Sequence, residues 1–64
     1  MRMTYFRELM ETEFGGVRAA SIARDHVLSQ LGGRTVEQAL AAGFDAKDVW
    51  IAVCDAYDVP PARR

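Results

Sequence analysis

The sequence holds one cysteine and one histidine among its 64 residues. A lone cysteine, Cys54, closes no intramolecular disulfide. With His26 it offers only two of the four ligands that a tetrahedral zinc site needs. Excess charge of one sign is missing as well: eight Lys and Arg stand against nine Asp and Glu, a formal net charge of −1. Dedicated nucleic-acid binders carry a basic excess, so the balance disfavours that class. No uncharged run reaches the ~20 residues that cross a bilayer. Arg2, Arg7 and Glu8 interrupt any apolar core that a signal peptide would need at the start. The expectations are therefore no metal, no cofactor, no membrane, and a cytoplasmic location in which a reduced cysteine is ordinary.

What is present is apolar surface in helical register. A chain this short makes one domain, residues 1–64, and buries only about 60% of the surface its unfolded form exposes. With no covalent or metal staple, apolar packing must hold it, and self-association would help.

The spacing predicts four helices. The first covers about residues 5–14 from a Thr4 cap, with Tyr5, Phe6, Leu9, Met10 and Phe14 on one side. Glu13 falls inside that apolar arc, at its edge or paired. Gly15-Gly16 ends the helix. The second is expected from Val17 to Leu31, stopping at Gly32-Gly33. Its wheel gathers Val17, Ala20, Val27, Leu28 and Leu31, with Arg24 in their midst and Ile22 and His26 on the other side. Arg24 reads as a stem laid along the core that reaches a carboxylate at the rim, with an anion contact as the alternative.

Thr35 and Gln38 form a capping box for a short third helix over about 36–42, which Gly43 ends. Asp45 caps the fourth, and Phe44 and Val49 are placed as a hydrophobic staple. Val49, Trp50, Val53, Ala56 and Tyr57 make its core face. Lys47, Asp48, Asp55 and Asp58 make its solvent face, with Ile51 among them and Cys54 at the border. Val59-Pro60-Pro61 ends it. The ordered core is expected over about 4–59, with a loose tail at 60–64.

The fold class is thus all-α, a small single-domain bundle of four helices whose third is short, with an orthogonal helix-turn-helix-like corner near Gly43. Counting Thr35 as first, Ala39, Gly43 and Val49 take the fifth, ninth and fifteenth places of that corner. The would-be recognition helix shows Asp45, Asp48 and Asp55, which oppose phosphates, so the spacing speaks for geometry and not for DNA reading. The expected core centres on Phe6, Leu9, Leu28, Leu31, Leu40, Trp50 and Val53.

No catalytic constellation emerges. Asp45 with Asp48 is a cap arrangement, Asp55 with Asp58 lies on an exposed face, and Glu11 and Glu13 point apart. Cys54 and His26 lack a third orienting group, and Asp25 beside His26 on a helix does not face it. The chain reads as a protein-interaction module with an unknown protein partner or a second copy, through Ile22 and Ile51 with Asp48 and Asp55. The alternative is a nucleic-acid-associated accessory protein using Arg18, Arg24, Arg34, Arg63 and Arg64.

Longer runs carry a family resemblance. Met1-Arg2-Met3-Thr4 with Phe6, Ala23-Arg24-Asp25-His26-Val27-Leu28, Leu31-Gly32-Gly33-Arg34-Thr35-Val36, Ala39-Leu40 with Gly43, and Val49-Trp50 through Ala52-Val53-Cys54 together span nearly the whole chain. In these the chain resembles domain of unknown function 3046, a family of small actinobacterial proteins. The resemblance implies no activity, cofactor or catalytic residue. The family's genes often sit near those for the strand-exchange recombinase and its regulator, which implies a link to DNA recombination and repair.

Overall fold

In the computed structural model, which describes all 64 residues, four α-helices follow one another: α1 (Met3–Phe14), α2 (Gly16–Asp25), α3 (Val36–Ala41) and α4 (Ala46–Ala56). Short 3-10 turns occupy Ser29–Leu31 and Pro61–Arg63. The only β pairing is a single antiparallel bridge between Leu28 and Arg34. The all-α expectation of four helices with a short third holds.

Three helix boundaries follow from local chemistry alone. At the start of α3 the Thr35 hydroxyl accepts from the Gln38 amide at 3.1 Å, and the Gln38 carboxamide oxygen accepts from the Thr35 amide at 3.0 Å. This reciprocal box satisfies two amides that a helix start otherwise leaves orphaned. At its end, Gly43 N–H bonds the Leu40 carbonyl and Phe44 N–H bonds the Ala39 carbonyl, while Gly43 adopts φ +95. That pair of bonds is a Schellman stop, and it needs the left-handed backbone that glycine takes without steric cost. Asp45 then caps α4 by accepting from the Lys47 amide.

Other boundaries differ from expectation. Thr4 is not the first cap: α1 begins at Met3 behind Arg2, with no side-chain cap bond. The prolines do not stop α4. Its stop is Asp58, at φ 54, followed by a bond from Val59 N–H to the Cys54 carbonyl. This is the same left-handed turn with aspartate in the glycine place.

The largest correction concerns α2, which ends at Asp25 and not at Leu31. His26 and Leu28 are extended, so Val27 points out at 55% exposure while Leu28 is buried. That alternation is the period of an extended strand. The chain then turns back through Gly32 and Gly33, both at positive φ, and Leu28 N–H bonds the Arg34 carbonyl. A helical wheel drawn through residue 31 is oriented by Val27, Leu28 and Leu31, which are not in the helix. Without them the buried face of α2 is Ala19, Ile22 and the half-buried Ala23, and Val17 is 89% exposed.

The core joins these faces. Phe6 and Met10 of α1, Ile22 of α2, Leu28 and Leu31 of the turn, Val36 of α3, and Val49, Trp50 and Val53 of α4 are all buried. Each large apolar side chain so buried stabilises the fold by about 2 kcal/mol before the entropy of ordering is subtracted. Phe6 meets Trp50 edge to face, with centroids 6.4 Å apart. Leu9 and Leu40 pack against this core while partly exposed.

Residues 60–64 are tied down. Arg63 forks onto Glu13 through two 3.0 Å bonds, Arg64 reaches Asp55, and the Arg64 carbonyl accepts from the Trp50 indole at 3.4 Å. Glu13 therefore tolerates its place in the apolar arc of α1 because it is paired.

Candidate interaction surface on α4

Of the four residues expected at an interaction surface, three share a face. Asp48, Ile51 and Asp55 are exposed on α4 at i, i+3 and i+7, a stripe about 10 Å long. Ile51 is 40% exposed. Ile22 is the exception. At 5% exposure it belongs to the core and cannot meet a partner.

The stripe borders a shallow trough between α4 and the 3-10 turn at 29–31. A depression of ≈ 410 Å³ is lined by Gln30, Leu31, Phe44, Asp48, Ile51 and Ala52. A smaller one of ≈ 180 Å³ continues it through the shared Gln30 and Ala52 to Asp55. Ala52 is small enough to leave the trough open, while Leu31, Phe44 and Ile51 make its walls apolar.

The two carboxylates of the stripe differ. Asp55 accepts from Arg64 Nη1 at 2.6 Å and from Gln30 Nε2 at 3.1 Å. The Arg64 bond, then the Gln30 bond, hold its carboxyl below the usual range. Asp55 is a clasp between α4, the 29–31 turn and the tail. Asp48 has no ion-pair partner among the three pairs of the molecule. It is the free carboxylate of the trough.

The arginines named for nucleic acid are largely engaged. Arg24 is exposed, not laid along the core, and pairs with Asp25 at 3.2 Å, which raises its pKa. Arg63 and Arg64 hold Glu13 and Asp55. Arg34 donates to the Leu31 carbonyl at 3.1 Å and stacks 5.3 Å over the Phe44 ring. Arg18 lies between Phe14 and Tyr57, 5.8 and 5.7 Å from their centroids. Arg18 and Arg63 sit on the neighbouring residues Phe14 and Glu13, and the carboxylates paired with Arg24, Arg63 and Arg64 offset their charge.

No hydrogen bond joins His26 to Cys54. His26 Nδ1 is hydrogen-bonded to the Tyr57 hydroxyl. Cys54 is wholly enclosed, and burial pushes its thiol pKa up, away from the thiolate that a nucleophile requires. No three His, Cys, Asp or Glu side chains converge where a metal ion would sit. No helix is long and apolar enough to cross a membrane.

Sequence reasoning missed Leu31 and Phe44 as walls of the trough, because the periodicity places Leu31 in a helix that in fact ends at Asp25. It also missed the cluster of Phe14, Arg18, His26 and Tyr57, for which spacing carries no signal. No curated protein and no solved structure matches the chain. A family model described as "Protein of unknown function (DUF3046)" matches residues 1–62, and the chain belongs to that family.

Proposed function

We propose that the protein is a non-catalytic interaction module that docks another protein in the trough beside Ile51. The observation that carries this reading is Ile51 itself. It is a large aliphatic side chain at 40% exposure, on the lip of an apolar-walled depression whose one free carboxylate is Asp48. The occupant is a segment with an apolar side chain for the trough and a neighbouring Lys or Arg for Asp48. The engagement of Arg24, Arg34, Arg63 and Arg64 within the chain favours this reading over direct contact with DNA. A role in recombination or repair, as the family resemblance implies, would then run through a protein partner.

The test is capture of partners from native cells with the wild-type chain, followed by binding of the purified partner to Ile51→Glu and Asp48→Lys. The expected result is a folded Ile51→Glu protein that loses binding and an Asp48→Lys protein that binds at least about tenfold more weakly. A partner held equally well by all three refutes the surface.

A further inference from the structure

A second concavity shares no residue with the trough. It is a groove of ≈ 290 Å³ bounded by α1, α2 and α3, with Phe6, Met10 and Val36 at its base. Three charged residues line it: Arg7 and Glu11 on α1, one helical turn apart, and Glu37 on α3. None of them belongs to any ion pair of the molecule. We infer that this groove is the contact face of a two-fold dimer, in which Arg7 of one copy meets Glu11 of the second and the reverse.

The charge pattern selects a second copy as the occupant. In a two-fold contact, residue i meets residue j and residue j meets residue i. A face that carries one cation and one anion on the same helix is therefore its own complement when the two helices run antiparallel. A uniformly basic ligand would oppose Arg7, and a uniformly acidic one would oppose both Glu11 and Glu37. An antiparallel register that sets Arg7 opposite Glu11 also sets Met3 opposite the Gly15-Gly16 turn. A Cβ placed on either glycine meets nothing within 4 Å, so that spot has room. Met3 is 39% exposed and lines the same groove, and its flexible thioether suits an irregular gap. Ala20 and Ala23 on the α2 wall let the partner helix approach closely.

The contact is small. The whole molecule exposes 4109 Å², and a face made by three short helices falls among interfaces below about 1,200 Å² in total, which are weak and transient. Dimerisation is therefore expected at about 0.1 mM.

Sedimentation equilibrium of the full chain tests this up to about 1 mM. The wild-type mass should rise from 7.1 kDa toward twice that value. Arg7→Glu and Glu11→Arg should each raise the dissociation constant at least about tenfold, since every reversal acts twice in a two-fold contact. An equimolar mixture of the two variants should regain the dimer, because positions 7 and 11 are then both acidic in one chain and both basic in the other. An intrahelical effect of either change would not be rescued by mixing. Circular dichroism should show both variants folded, as both positions are exposed. A wild-type chain that stays monomeric, whether its groove is empty or takes a foreign segment, overturns the inference. So do variants that dimerise like the wild type, or a mixture that stays monomeric.

Discussion

The hydroxyl of Tyr57, just beyond the end of α4, is hydrogen-bonded to Nδ1 of His26, just beyond the end of α2. Their rings meet edge to face with centroids 5.1 Å apart, and Phe14 of α1 meets the same tyrosine at 5.3 Å. Three elements thus converge on one phenol. His26 is where α2 gives way to extended chain, so this contact holds the departure of the 26–28 segment. Tyr57→Phe keeps the ring and removes the hydroxyl, and should cost about 1 kcal/mol in urea unfolding. A double-mutant cycle with His26→Ala should show coupling of about 0.5–1 kcal/mol. Additivity within about 0.3 kcal/mol would contradict the bond.

Two isoleucines make a sharper contrast. Ile22→Ala opens a cavity in the core and should cost about 2–5 kcal/mol, enough to unfold much of a domain whose total stability is of order 5 kcal/mol. Ile51→Ala should change stability by no more than about 0.5 kcal/mol. Equal losses by denaturant titration would contradict the assignment of one to the core and the other to the surface.

The tail should make the fold acid-sensitive. Arg63 holds the Glu13 carboxyl below its ordinary range by hydrogen bonding, and Arg64 does the same for Asp55. Both folded-state values are depressed. Their contribution is complete above the unfolded values near pH 4 and disappears as pH falls through the folded ones. Glu13→Gln and Asp55→Asn should each be less stable at pH 7 and lose less on acidification below about pH 4. An unchanged slope of stability against pH would count against the pairs. Removal of residues 61–64 should also uncover Trp50, now 2% exposed, and move its fluorescence to longer wavelength.

Asp58 offers a stabilising change. It holds φ 54 at the stop of α4, where glycine pays no steric cost. Asp58→Gly should raise stability by up to about 1 kcal/mol, seen as a higher urea midpoint at unchanged slope. A lower midpoint would mean that the aspartate side chain contributes more than its backbone costs.

The legible parts of this fold are those whose cause lies within a few residues. Thr35 with Gln38, Gly43, and Asp45 act through backbone groups two to four positions away, so their spacing is their mechanism. Phe6, Trp50 and Val53 are legible because α1 and α4 keep one period from end to end. The face of α2 is not, since its wheel mixes residues from two conformations. Of the candidate surface, Ile51 and Asp48 can be read from the period of α4. The clasp on Asp55 cannot, because Gln30 and Arg64 come from elsewhere in the chain.

By itself the sequence determined the four helices as a class, the caps of α3 and α4, and the one large exposed aliphatic side chain of α4. Short-range hydrogen bonds and a 3.6-residue period suffice for these. Only the tertiary structure decided that α2 stops at Asp25, that Ile22 turns inward, and that residues 60–64 are clasped by Glu13, Trp50 and Asp55. Each of those outcomes depends on a partner brought close by folding, and spacing along the chain does not encode which partner that will be.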